Sequence, residues 1–149
     1  MITYDSDCTY DYRIIDNLID QIIAQKQDII NVSFKLANTE IKTSLFRRIL
    51  SWGGSFIYKI LFSEIKNYKV KVFTCSFRIY DMKQIKDINL ISEDFNCCAE
   101  LMIRAMMKKL KIIEIPGKNF GRKYGYSKMK ILRNILSTLK TIFLIKKKN

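Results

Sequence analysis

Met1-Ile2-Thr3-Tyr4-Asp5-Ser6-Asp7 opens the chain as a short apolar strand that ends in two carboxylates one residue apart. Carboxylates at that spacing, in a loop just past a strand, can both reach a hard divalent cation. Such a cation takes oxygen ligands and is suited to bridging a diphosphate. Taken alone, the pair reads first as a strand-to-helix turn whose acids cap the next helix. The blocks further along the chain reverse that preference. A strand that delivers acids in this way ordinarily ends inside a larger sheet, so the chain reads as beginning in the middle of a fold.

Working outward, the pattern is strand, helix, strand, helices, strand, helix, strand, helix, an α/β order. Tyr12 to Ala24 places Ile14, Ile15, Leu18, Ile19, Ile22 and Ile23 at helical spacing with one buried face. Ile29 to Ser33 is a short strand. Leu45 to Phe62 is apolar and aromatic and reads as two helical pieces broken at Gly53-Gly54. Val70 to Tyr80, rich in β-branched and aromatic residues, reads as a strand. Phe95 to Leu110 is a helix against the core, and Lys111 to Pro116 a strand ending at the one proline. Asn119 to Tyr126 is a loop, after which Ser127 opens a last helix over about residues 128 to 145. That helix sets Ile131, Leu132, Ile135, Leu136, Leu139, Ile142 and Phe143 on one side and Arg133, Asn134, Ser137 and Lys140 on the other.

At 149 residues, 48% hydrophobic and 28% charged, the chain has the make-up of a globular domain with a real core, not of a disordered tail. The acidic N-terminus does not read as a secretory signal, and the longest apolar stretches fall short of the roughly 20 residues that span a bilayer. Cys8, Cys75, Cys97 and Cys98 show no CxxC spacing, and with no histidine there is no zinc set; they read as reduced thiols in a cytoplasmic protein. Net charge is +13, and residues 104 to 149 hold all of it, with fourteen Lys or Arg against the single acid Glu114. That third of the molecule is built to face something anionic: a membrane surface, a phosphate ligand or nucleic acid.

Five blocks then fall in one order: Tyr4 to Asp11, Thr74-Cys75-Ser76-Phe77-Arg78-Ile79-Tyr80, Phe95 to Glu100-Leu101, Glu114-Ile115-Pro116, and Arg122-Lys123-Tyr124-Gly125-Tyr126-Ser127-Lys128. Together they resemble the second half of a family 2 glycosyltransferase, in the branch similar to dolichol-phosphate (polyprenyl-phosphate) mannosyl- and glucosyltransferases. The resemblance implies the C-terminal part of a GT-A (Rossmann-like) sheet with flanking helices, lacking the first nucleotide-binding strands. A partial transferase domain would span residues 1–127, with an amphipathic basic helix and tail over 128–149.

By the same resemblance, Asp5 and Asp7 hold Mg2+ or Mn2+ against the donor diphosphate, with Thr9 at the next alternate position. Fixed positive charge there stabilises the leaving oxygens. Asp7, Glu100 and Arg122 are the implied catalytic residues. Arg47 and Ser51, one helical turn apart, resemble the pair that holds an acceptor lipid phosphate, though a solvated surface pair accounts for them as well. Arg122, Ser127 and Lys128, with Gly125, form an anion site of the nest and helix-terminus kind. Glu100 has a plainer reading as an ion pair with Arg104, and Glu93-Asp94 a further one as a general base. Arg78 either buttresses the site or pairs with an acid. Relatives carry an acid where this chain has Val72.

The implied activity is a metal-dependent, inverting hexosyl transfer from a GDP- or UDP-linked sugar to a polyprenyl phosphate or a cell-envelope glycan acceptor. The implied location is cytoplasmic, peripheral on the inner face of the membrane, with the C-terminal helix on the membrane surface; a helix packed on the sheet with Lys146-Lys147-Lys148 as a basic tail accounts for the same pattern. The strands that grip nucleotide and ribose, about three β-α units of roughly 30 residues each, would stand ahead of Asp5 in the same or a separate chain. The chain alone is therefore expected to be inactive and poorly soluble. The competing class is a non-enzymatic basic α/β module on nucleic acid or anionic membrane; on nucleic acid it requires aromatics interleaved with cations on an exposed sheet face, and no nucleic acid is expected.

Overall fold

The computed structural model describes residues 1–6, 9–33, 36, 45–118, 120 and 131–148, with the backbone course alone for 45–52, 131–134 and 148. The elements are β1 (Ile2–Thr3), a 3-10 turn (Tyr12–Ile14) leading into α1 (Ile15–Ala24), β2 (Ile29–Ser33), α2 (Leu45–Leu61), β3 (Arg78–Tyr80), α3 (Met82–Ile85), α4 (Cys97–Met107), β4 (Ile112–Pro116) and α5 (Ile131–Lys148). The four strands form one mixed sheet in the order β1-β3-β2-β4, antiparallel at β1/β3 and β3/β2 and parallel at β2/β4. The expected α/β class holds at that level, and β1 is an edge strand whose Met1 and Ile2 are exposed.

Period-2 alternation splits the core into two clusters. Ile29 and Tyr80 join Tyr58 of α2, Phe62 just past its end, the α4 residues Ala99, Met102, Ile103 and Met106, and Ile142 and Ile145 of α5. Ile30, Val32, Phe77 and Ile79 join Leu18 of α1 with Tyr10, Val72 and Cys75. Each large apolar side chain taken fully from water contributes about 1.5–3 kcal/mol, so these alternating strand positions fix the register.

The helices have identifiable causes. In α4, Ala99, Met102, Ile103 and Met106 recur at i, i+3, i+4 and i+7 and are all buried. It begins over Asp94, whose carboxylate accepts the Asn96 N–H at 2.9 Å and whose carbonyl accepts Cys97 N–H. It ends with Lys109 left-handed at φ 58°, Lys109 N–H on Met106 O and Leu110 N–H on Ala105 O, a Schellman closure. α1 closes in the same way at Lys26, φ 48°. Its apolar stripe is wider than the face it buries, and Ile19 and Ile23 stay exposed.

Two expectations are corrected. Leu45–Leu61 is one continuous helix through Gly53-Gly54, because a glycine pair costs a helix only about 1 kcal/mol per residue and Tyr58 and Phe62 anchor its far half in the core. Val70 to Tyr80 is a strand only over Arg78–Tyr80. The preceding residues find other partners for their backbone groups, described next.

Candidate functional site

A polar row crosses the sheet at one register. Thr3 lies opposite Arg78, Arg78 opposite Asn31, and Asn31 opposite Glu114, so each of the four strands supplies one polar side chain to the same line. Arg78, wholly buried, donates from Nε to Asn31 Oδ1 at 2.7 Å, from Nη1 to Cys98 O and from Nη2 to Phe73 O. Asn31 Nδ2 donates to Val72 O and to Glu114 Oε1, both at 2.9 Å. Glu114 accepts the backbone N–H groups of Lys71 at 2.9 Å and Val72 at 3.0 Å. Thr3 Oγ1 donates to Ser76 O.

This row explains the missing strand. Backbone groups of Lys71, Val72, Phe73 and Ser76 are satisfied by side chains of the sheet, which removes the need for a neighbouring ladder. Among the described residues Arg78 pairs with no acid, and the ion pairs are Arg13–Asp11 and Arg104–Glu100. Three hydrogen bonds to oxygens, each worth about 1.5–3 kcal/mol for a charged donor, offset a desolvation cost of several kcal/mol. Arg78 therefore braces β2, α4 and the segment before β3.

Asp5 stands two residues beyond Thr3, exposed, at the end of the strand that pairs with β3. Tyr4 packs edge-on against Phe77 at 4.9 Å and its hydroxyl donates to Tyr10 O, which fixes the path of the loop on both sides of the acids. Burial raises the thiol pKa of Cys75, and that of Cys98 to about 11; the Arg78 charge pulls both back and Asp5 adds to the rise. The Cys98 carbonyl meets Arg78, and the Ser76 carbonyl meets Thr3, two residues before Asp5. Ser76 Oγ is the one buried side-chain oxygen or nitrogen among the described residues without a hydrogen-bond partner. The helix-turn cap is supplied by Asp11, which accepts Arg13 N–H at 3.2 Å, not by Asp5.

Thr9 is buried, and its carbonyl accepts the Phe120 N–H at 2.8 Å, so the segment after Asp5 runs beside the segment after β4. Gly117 permits that approach: a Cβ there would stand 2.1 Å from Val32 Cγ1. Asp7 lies outside the described residues, as do Arg122, Gly125, Ser127 and Lys128; the side chains of Arg47 and Ser51 do as well.

Glu100 is fully buried in α4. Its carboxylate accepts Arg104 Nε at 2.7 Å, Ile91 N–H at 2.9 Å and Ser92 N–H at 2.8 Å. Burial pushes its pKa up, but the bonds from Arg104, Ser92 and Ile91 outweigh it and hold the carboxyl below the usual range. The ion-pair reading of Glu100 is the one its contacts display. Asp94 is also held low, first by the Ser137 hydroxyl and then by Asn96 N–H, which makes it a weak base.

A groove of about 580 Å³ runs along β4 between Asn67–Lys71 and Ile112–Glu114, with none of the site residues expected from sequence in its wall. Among the described residues no three acids or thiols gather as a metal cluster. The exposed Asp5 carboxylate is a hard oxygen donor of the kind Mg2+ or Mn2+ takes. Asn31 and its row are structural scaffolding that the sequence reading missed. The signal was polar residues inside short apolar strands: Thr3, Asn31, Arg78 and Glu114. No family model matches the chain, and no curated protein matches it.

Proposed function

We propose that this chain is the metal- and acceptor-side part of a family 2 glycosyltransferase that moves a sugar from a nucleotide-linked donor to a polyprenyl phosphate or cell-envelope glycan, with inversion. The observation that carries the proposal is convergence. The Asp5 block and the Thr74 to Tyr80 block, remote in sequence, are adjacent through β1 and β3, and the Glu114 block is tied to them through Asn31.

In this reading Asp5 and Asp7 hold a divalent cation, which when bound neutralises charge on the departing diphosphate. Thr3 and Arg78 position the loop that carries the acids. The Arg122, Ser127 and Lys128 segment follows β4, whose exit is held beside Thr9 by the Phe120 bond, and supplies cations for phosphate. Arg47 and Ser51 take the acceptor phosphate, already a nucleophile at neutral pH, so no general base is needed. Asp94, held low by Ser137 and Asn96, then serves α4 and α5 instead. Donor-recognition strands would add at the β1 edge of the sheet. The work is cytoplasmic, at the inner membrane face.

The nucleic-acid reading loses its stacking platform, since Phe73, Phe77 and Tyr80 are all buried.

The test is Mn2+ binding to the full chain, followed by electron paramagnetic resonance with and without a nucleoside diphosphate. We expect tighter binding in the presence of the nucleotide and a loss of about tenfold or more in Mn2+ affinity for D5N and for D7N. Equal affinity in wild type and both variants overturns the metal assignment.

A further inference from the structure

α5 is turned the opposite way from its hydropathy. Its inward side carries hydroxyls: Ser137 donates to Asp94, Thr138 to Asn96 Oδ1 at 2.7 Å, and Thr141 meets Ser92 at 3.0 Å. Only below them do Ile142 and Ile145 enter the core. Its outward side keeps Leu136 68%, Leu139 51% and Phe143 67% exposed. These three recur at i, i+3 and i+7 and form one stripe. Exposed Lys140 and Lys146 flank it, Lys147 stands at its end, and α5 contains no acid.

α2 repeats the arrangement. It buries Tyr58 and leaves Phe56 66%, Ile57 42% and Ile60 56% exposed. Tyr58 hydrogen-bonds Thr138, so the two helices are joined through their inward sides. Soluble monomers rarely leave so much large apolar surface in water. A second copy seated isologously on α5 would set lysines against lysines.

We infer that α2 and α5 together form a lipid-facing surface for an anionic bilayer. The outward side chains enter the headgroup and acyl boundary, while Lys140, Lys146 and Lys147 snorkel to the phosphates. The sequence periodicity assigned the apolar side of α5 to one face and did not involve α2; the structure divides that side between core and solvent and adds a second helix. The inference deepens the membrane placement of the proposed function, but it is argued from exposure and charge, and its test is independent of glycosyl transfer.

Flotation of the full chain with phosphatidylcholine vesicles, with and without phosphatidylglycerol, tests it. Wild type should float with the anionic vesicles and release at high salt. F56S/I60S and L136S/F143S, checked for retained circular dichroism, should each bind about tenfold more weakly. K140Q/K146Q/K147Q should lose the preference for anionic lipid. Failure of wild type to float overturns the inference, as does concentration-dependent dimerisation, by sedimentation velocity, that F56S/I60S abolishes without any vesicle binding. Wild-type binding by F56S/I60S removes α2 from the surface and overturns the two-helix assignment.

Discussion

Glu100 illustrates how one residue's surroundings decide its work. A carboxylate sunk in a helix is costly unless every lone pair is used, and here Arg104, Ile91 and Ser92 use them. Its pKa is lowered, so its contribution is present above the unfolded value and is lost as pH falls through the folded one. Below about pH 4.3 the wild type should therefore lose stability partly through this group, with Asp94 acting in the same direction. E100Q should lower stability at neutral pH by about 2–4 kcal/mol and flatten the acid limb of a urea-unfolding profile against pH. An unchanged slope would show that the pair contributes nothing to acid sensitivity. The i to i+4 spacing of Glu100 and Arg104 made the pair legible in sequence. The two backbone donors from residues 91 and 92 were not, because they come from a turn whose path depends on α5 packing.

At the scale of elements, glycine has two different meanings in this chain. Gly53 and Gly54 lie in the middle of α2 with open space where a Cβ would go, so their cost is conformational entropy alone. G53A/G54A should raise stability by about 1 kcal/mol per site. Gly117 is the reverse, since a Cβ would collide with the buried Val32 side chain, and G117A should lower stability by about 1–3 kcal/mol. Equal effects of the two changes in urea titrations would contradict this account. The sequence reading took Gly53-Gly54 as a break because local propensity was weighed without the tertiary anchor at Tyr58 and Phe62. The strand reading of Val70 to Tyr80 failed for a related reason: β-branched composition reports a half-buried pleated surface, and Asn31, Arg78 and Glu114 offered that segment hydrogen bonds across the sheet instead of a ladder.

For the whole molecule, the two apolar clusters sit on opposite faces of one sheet, and Arg78, Asn31 and the half-buried Glu114 brace the segment that sends Val70 and Phe73 to one cluster and Val72 and Cys75 to the other. Neither face can open without displacing that shared segment, so unfolding should be one cooperative event. Far-ultraviolet and near-ultraviolet circular dichroism should share one midpoint in urea. Separate midpoints would mean that the α1 face and the α4 face fold independently. The charge distribution acts at the same scale: with its positive excess all in residues 104–149, the molecule is polarised along the sequence, and α5 carries part of that excess to the surface.

The amino-acid sequence by itself determined the α/β order, the bounds of β2, the α4 face, the ion pair within α4 and the acids at the end of β1, because these follow from short-range periodicity and local spacing. Tertiary structure alone decided that four polar residues align across four strands, that a strand-like segment becomes a braced crossing, and that α5 shows Leu136 and Leu139 to solvent. Those outcomes depend on which buried polar groups can satisfy one another between segments remote in sequence. A hydroxyl bonded to Asn96 or Asp94 can outcompete a leucine for the inward side of a helix, and no window of local sequence contains both partners.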